Sequence, residues 1–234
     1  MPQARGLRAV QISDLHGRTH FLNGRISDRV NALEPDVVFV TGDLASDHAD
    51  LERVLAELVR IRCPHVLFVA GNYEREDAAK GRTRKRTLPE QEYRTLLERI
   101  GQQMTVLVNA GVTLNLNGQT LYIYGFDNAR YGDERLPAAG LPAADLVILL
   151  AHSPNIIRLV QEADLKFDAL LVGHTHGGQV RLFGQAFDEY RHFQAGRNPT
   201  ARGLFYVNRG LGTSRLPFRL GTPPEILVLE ASGP

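Results

Sequence analysis

Short apolar runs alternate with amphipathic stretches through the first part of the chain. Leu7–Ile12 and His65–Ala70 read as strands, and Asp36–Val40 is an almost unbroken apolar strand bounded by Pro35 and Gly42. Between them, Phe21–Leu33 sets Ile26, Val30 and Leu33 on one helical face. Asp50–Arg62 repeats Leu51, Val54, Leu55, Leu58 and Val59 at helical spacing, and Pro89–Ile100 does the same with Tyr93, Leu96, Leu97 and Ile100. Strand–helix–strand order with nearly all-apolar strands predicts a parallel sheet buried on both faces.

The pattern then changes. Val112–Leu116 and Thr120–Tyr124 flank Asn117-Gly118, a pair suited to a hairpin turn in which both residues take positive φ. Leu146–Leu150 and Ala169–Val172 are further buried strands, with a helix near Pro154–Gln161 between them. Leu204–Val207 and Glu225–Leu229 read as antiparallel strands. The whole predicts an α/β fold in which two mixed sheets pack together with helices outside, as a single domain over residues 1–234. Two segments read as long loops. Glu74–Leu88 carries Lys80, Arg82, Arg84, Lys85 and Arg86. Phe183–Gly203 mixes Phe183, Phe187, Tyr190 and Phe193 with Arg191, Arg197 and Arg202. The first is a solvated loop or a lid over an anionic substrate or lipid surface; the aromatics of the second pin the loop to the body or touch acyl chains.

Composition narrows the class. The 234 residues are 43% hydrophobic and 23% charged, with a formal net charge of +1. That is enough for one sizeable core, and no global field points to nucleic acid. No nucleic-acid partner is expected. The lone cysteine, Cys63, forms no internal disulfide and reads as a buried small hydrophobe. No run reaches membrane-span length, and Met1 to Arg8 lacks the apolar core of a signal peptide. A cytoplasmic location is expected, with peripheral contact at the inner membrane face as its variant.

Metal-ligand residue types stand at the C-terminal ends of the predicted strands. They are Asp14 and His16 after the first, Asp43 after Gly42, Asn72 after Gly71, His152 after Ala151, and His174 and His176 after Gly173. In open α/β sheets, ligands bind outside these strand ends. The i, i+2 pairs Asp14/His16 and His174/His176 project to one side of an extended strand. Mixed imidazole and carboxylate donors without thiolate suit manganese, iron, zinc or cobalt. Taken singly, each residue is as well explained by a turn, a cap or a satisfied core position. The seven together are not, because clustered carboxylates and histidines are costly to bury without a cation.

From Arg8 to Leu229 the chain resembles the calcineurin-like metallophosphoesterase superfamily, in the family's order: Asp-x-His, Gly-Asp, Gly-Asn, a separate His, then Gly-His-x-His. The resemblance implies a four-layer αββα sandwich and a binuclear metal centre of two divalent cations, manganese foremost. Asp14, His16 and His176 would hold one cation, Asn72, His152 and His174 the other, and Asp43 would bridge. It further implies a phosphodiesterase or pyrophosphatase in which a metal-bridging hydroxide attacks phosphorus in line. Asp43, Asn72, Tyr73 and His152 are the residues nearest that chemistry. Later segments, Gly173–Gln179, Asn208–Ser214 and the run from Pro217 through Arg219 to Ile226, resemble a bacterial cell-envelope-associated branch with UDP-2,3-diacylglucosamine pyrophosphatase-like relatives. The implied partner is a phosphorylated small molecule or a lipid-linked substrate.

One position departs from the family. The residue after the Gly-Asn pair is usually His and is Tyr73 here. A phenol titrates near ~10 and an imidazole near ~6.5, so Tyr73 is the poorer acid for a leaving oxygen, or else a packing or pocket-lining residue. Two alternatives stand beside the diesterase reading: a broad phosphomonoesterase, and an inactive scaffold on the same fold. His20, His48, His65 and His192 lack motif context and read as structural, with His20 and His192 able to edge the pocket. Arg209 and Arg219 are phosphate contacts or salt-bridge partners.

Overall fold

The computed structural model describes residues 6–77, 86–182, 185–186 and 193–231. In chain order the strands are β1 (Leu7–Ile12), β2 (Val37–Thr41), β3 (Val66–Val69), β4 (Thr105–Val106), β5 (Ala110–Leu116), β6 (Gln119–Gly125), β7 (Leu146–Leu150), β8 (Ala169–Val172), β9 (Gly196–Thr200), β10 (Gly203–Val207) and β11 (Leu227–Ala231). The helices are α1 (Ile26–Asn31), α2 (Leu51–Leu58), α3 (Asn72–Arg75), α4 (Glu90–Gly101) and α5 (Ile156–Glu162). Two-residue ladders pair His20–Phe21 with Gly24–Arg25, Glu76–Asp77 with Arg86–Thr87, and Arg181–Leu182 with Gln185–Ala186.

The strands form a five-stranded sheet in the order β11-β1-β2-β3-β4 and a six-stranded sheet in the order β9-β10-β8-β7-β6-β5. Both are mixed. In the first, β1 to β4 run parallel and β11 is antiparallel to β1. In the second, β6, β7, β8 and β10 run parallel, and β5 and β9 form antiparallel edges.

Side chains alternate between the two faces of each strand, and this makes four layers. Leu7, Ala9, Val37, Phe39, Leu67 and Val69 of the first sheet meet Leu121, Ile123, Ile148, Leu150 and Leu171 of the second. The intervening positions Val10, Ile12, Val38, Val40 and Phe68 face Ile26, Val54, Leu55, Tyr93 and Ile100 of α1, α2 and α4. On the far side Leu149, Leu170 and Val172 pack on Ile156, Ile157 and Val160 of α5. The result is the αββα sandwich. Burying one such Leu, Ile or Phe side chain stabilises the fold by about 1.5–3 kcal/mol relative to leaving it exposed. At one end of the inter-sheet layer sits buried Gln11. Its amide donates to Thr41 Oγ1 at 2.9 Å and to the Val172 carbonyl at 3.2 Å, and its oxygen accepts from Asn208 at 3.3 Å, tying both sheets together beside the strand ends.

Several boundaries differ from the periodicity. The helix expected over Phe21–Leu33 starts only at Ile26, because Gly24 (φ 114°) turns the preceding residues back as a small hairpin with Leu22 exposed at its tip. The helix of Asp50–Arg62 is regular over Leu51–Leu58, after a 3₁₀ turn whose Asp47 carboxylate accepts from Ala49 N. Phe183–Gly203 is not all loop. Gly196–Thr200 is the edge strand β9, hidden by a Gly-Arg-Asn-Pro-Thr sequence whose proline an edge position tolerates. In Glu74–Leu88, α3 and the ladder of Glu76–Asp77 with Arg86–Thr87 form the base. Lys80, Arg82, Arg84 and Lys85 lie outside the described residues, as do Phe183, Phe187, Tyr190, Arg191 and His192. The two late strands each have an antiparallel neighbour, but in different sheets: β10 beside β9, and β11 beside β1. The hairpin turn matches its expectation, with Asn117 at φ 51° and Gly118 at φ 80°. Cys63 is half-buried rather than buried, its thiol directed at the His65 carbonyl at 3.5 Å. Among the described residues no helix is long and apolar enough to cross a membrane.

Candidate metal centre

Parallel strands β1, β2, β3, β7 and β8 end at the same edge of the sandwich, so the short loops that follow them converge. Two groups form there. Asp14, His16 and His176 offer ligand atoms that all lie within 4.8 Å of one another, and Asp43, His152 and His174 form a second group of the same compactness. Asp43 stands between the groups: its Oδ2 lies 3.6 Å from His16 Nε2 and 3.3 Å from His152 Nε2. Asp14 Oδ1 lies 3.5 Å from His176 Nε2 and 4.0 Å from both His16 Nε2 and His152 Nε2. Asn72 opens α3 directly after β3 and the Gly71 turn. It is buried, and its Oδ1 accepts no hydrogen bond from the described residues.

The local backbone is unusual in a way sequence periodicity cannot reveal. Asp14, His16, Asp43, His174 and His176 all have φ between 47° and 72°. Each left-handed non-glycine residue costs roughly 1–2 kcal/mol, and such strain collects at functional sites. The loops are also packed against each other. A methyl group on Gly173 would collide with the Ser13 hydroxyl and the Asp14 carboxylate, and one on Gly71 would collide with Asp43.

A layer of hydrogen bonds orients these side chains. His152 Nδ1 donates to the Thr41 carbonyl at 2.8 Å. A carbonyl only accepts, so Nδ1 keeps its proton and Nε2 is the nitrogen turned into the site. His16 Nδ1 meets Ser46 Oγ at 2.8 Å. Ser13 Oγ donates to Asp14 Oδ2 at 2.6 Å, and the His174 N–H donates to the same carboxylate at 3.0 and 3.2 Å. Glu74 is buried behind Asp43 and accepts from three backbone N–H groups. None of Thr41, Ser46 or Glu74 carried a sequence signal of its own.

The electrostatics fit a cation site. Burial opposes ionisation of Asp43, but His152, His16 and His174 outweigh it and hold the carboxyl far below the usual range. Burial pulls His152 down, yet Asp43 and Asp14 overcome it and push this imidazole up to about 10. Burial, reinforced by His152, holds His174 well below its ordinary value, and burial lowers His176 to about 3. His174 and His176 therefore present lone pairs at neutral pH. Hard oxygen donors, neutral imidazoles and a buried unbonded amide oxygen on Asn72 together suit divalent transition metals.

Other predicted residues fall into place around this core. Tyr73 is buried, with its ring edge-on to His16 at 4.8 Å, its N–H on Asp43 Oδ1 at 2.9 Å and its hydroxyl 3.0 Å from Ser214 Oγ. His48 donates to the Tyr73 carbonyl at 2.9 Å, and His20 contacts Thr19 at 2.9 Å. Arg209 pairs with Glu225. Arg219 turns inward, donating to the carbonyls of Gly212, His176 and Thr222 and facing His176 Nδ1 at 3.1 Å. Burial lowers that guanidinium to about 10. Phe193 packs edge-on against Phe205 at 6.5 Å, which pins its segment to the second sheet.

Comparison with known proteins agrees with this architecture. The family model described as calcineurin-like phosphoesterase matches residues 7–178. The protein YpbG of Bacillus subtilis (strain 168) is 29% identical over 229 residues, covering 95% of this chain and 80% of its own. Phosphodiesterase YaeI of Escherichia coli (strain K12) is 28% identical over 235 residues, covering 94% of this chain and 80% of its own. Among solved structures, phosphopantetheinyl hydrolase (PptH) from Mycobacterium tuberculosis superposes with a TM-score of 0.52 at 14% identity, covering 86% of this chain and 88% of that one. At that identity the likeness is one of fold.

Proposed function

The chain belongs to the calcineurin-like phosphoesterase family, a metal-dependent class of hydrolases, and from that premise we propose that it cleaves a phosphodiester or pyrophosphate bond. The observation that carries the reading is the convergence of Asp14, His16 and His176 beside Asp43, His152 and His174. Asp14, His16 and His176 would hold one divalent cation. His152, His174 and Asn72 would hold the second, with Asp43 shared. Manganese is the cation proposed, given donors that are all nitrogen and oxygen. When bound, the pair supplies Lewis acidity, acidifying water and neutralising charge on phosphoryl oxygens.

The chain's own groups do the rest. The Thr41 carbonyl keeps the His152 proton on Nδ1, so the ring cannot turn its lone pair away. The buried carboxylates of Asp14 and Asp43 fix negative charge where cations must sit. Tyr73 occupies the position of the family's usual histidine and carries a hydroxyl tied to Ser214. A phenol is a weaker proton donor to a departing alkoxide than an imidazolium, which favours substrates whose leaving group needs little protonation, such as a pyrophosphate or an activated diester. YaeI, a relative named as a phosphodiesterase, supports the diester reading.

A lipid-linked substrate is supported by a second feature. The segment bearing Arg219 also presents Leu216, Phe218 and Leu220, each 48–52% exposed. The Gln179 amide holds it by donating to the Leu216 and Phe218 carbonyls at 3.0 and 3.2 Å. Manganese-loaded protein should hydrolyse bis-p-nitrophenyl phosphate and UDP-linked lipid substrates faster than p-nitrophenyl phosphate. Faster monoester turnover would instead make it a phosphomonoesterase. Absence of both hydrolysis and metal uptake would leave a scaffold.

A further inference from the structure

We propose that Glu74 is the positioning residue of the metal centre: its carboxylate clamps the turn after β2 to the turn after β3, and so sets Asp43 and Asn72 relative to each other. The proposal rests on the phosphoesterase reading, because those two residues are the ligands it places.

Asp43 (φ 57°) follows Gly42 (φ 79°), so two successive residues are left-handed. Consecutive N–H groups in such a turn form a concavity that binds an anion. The Glu74 carboxylate fills that concavity; burial and the Asp43 charge raise its carboxyl above the usual range, and the N–H groups of Leu44, Asp43 and Gly71 act against that rise. Asp43 N donates to Oε2 at 2.9 Å and Leu44 N to Oε1 at 2.8 Å, one donor for each carboxylate oxygen. Gly71 N donates to Oε2 at 2.7 Å, the return half of a capping box that opens α3. The stitching runs both ways, because Tyr73 N donates to Asp43 Oδ1 at 2.9 Å. Glu74 thus holds the backbone of Asp43 while the first turn of α3 holds its side chain.

The turn after β2 is laced to the turn after β1 by Asp14 N to the Gly42 carbonyl at 3.0 Å, His16 N to the Asp43 carbonyl at 3.0 Å and Gly17 N to the Leu44 carbonyl at 2.8 Å, none of which reaches the turn after β3. α3 is only four residues long, too short to persist without tertiary support. The turns nevertheless touch: a Cβ on Gly71 would lie 2.6 Å from Asp43 N. Glu74 is 2% exposed, and losing its carboxylate altogether leaves three buried donors unsatisfied. Glu57 provides the contrast. It is also buried, but it binds the Ser27 N–H and the Arg25 guanidinium, both on the helix side of the first sheet and remote in sequence from any ligand turn.

The test titrates Mn²⁺ into metal-free wild type, Glu74→Gln, Glu74→Asp and Glu57→Gln by calorimetry, with thermal unfolding of each metal-free protein alongside. Glu74→Gln sets an NH₂ group against backbone N–H donors and should weaken Mn²⁺ binding by about 10- to 100-fold, the usual effect of losing a partner behind a ligand. Glu74→Asp keeps the charge on a shorter stem and should fall between. Glu57→Gln should lower the unfolding temperature and leave Mn²⁺ affinity unchanged. The proposal is overturned if Glu74→Gln binds Mn²⁺ like wild type. It is equally overturned if Glu57→Gln loses affinity to the same degree, or if neither Glu74 variant folds, since Glu74 would then serve folding alone. Wild type that takes up no Mn²⁺ would overturn the phosphoesterase reading itself, a result distinct from the others.

Discussion

The Nε2 atoms of His16 and His176 face each other at 2.9 Å across 160 residues of sequence, with their rings stacked at 28°. Along that line two neutral imidazoles can share one proton at most. A cation that accepts both lone pairs, with Asp14 as the third donor, relieves the arrangement. Replacing His176 with alanine is therefore expected to remove one of two metal equivalents per chain, read by elemental analysis of dialysed protein. Two retained equivalents would sink the assignment of His176.

Metal uptake should release a proton. In the metal-free protein His152 is raised from 6.5 to about 10 and is charged at pH 7. A cation needs its Nε2 lone pair, so binding expels about one proton, and affinity weakens as pH falls. Calorimetry in buffers of different ionisation enthalpy measures this directly. Stability runs the other way. A histidine whose folded value is raised contributes stability in full below its unfolded value of 6.5, and that contribution is lost as pH rises through about 10. Chelated protein should thus lose melting temperature across that window, while Mn²⁺ binding tightens. Proton-neutral uptake at pH 7 would contradict the ionic state of His152.

Tyr73 packs edge-on to His16 and bonds Ser214, so it sits against the candidate metal centre rather than out on a loop. Tyr73→His places an imidazole at that point. It is expected to raise turnover of alkyl phosphodiesters, which need a protonated leaving oxygen, by more than turnover of nitrophenyl diesters. Equal change for both substrates would assign Tyr73 to packing.

Gly173→Ala inserts a methyl group between Ser13 and the Asp14 carboxylate, where no space exists. Overpacking of this kind costs about 1–3 kcal/mol. For a chain of this size that lowers the melting temperature by roughly 2–12 °C. The same shift of Asp14 should weaken the first cation more than the second. An unchanged melting temperature would mean the strand ends are looser than their contacts imply.

Much of this architecture was legible in the chain. Val38, Val40 and Phe68 face helices and Val37, Phe39 and Leu67 face the second sheet because strand alternation is local, and a sheet covered on both sides needs apolar residues at both parities. The ligand-type residues could be found because they follow strand ends beside glycines. Less visible were β9, whose glycine and proline read as loop, and the start of α1, which Gly24 delays. Arg219 was equally ambiguous, since only its neighbours decide whether a guanidinium grips phosphate or ties down carbonyls.

The order of strands and helices, the apolar faces and the residue types able to bind cations came from the sequence alone, since each depends on spacing within a few residues. Only the tertiary structure decided that Asp43 lies between His16 and His152, that the Thr41 carbonyl fixes a histidine tautomer, and that Glu74 fills the turn behind the site. Those relationships join residues tens to more than a hundred positions apart. They follow from parallel strands ending at one edge, a consequence of sheet pairing that no local window contains.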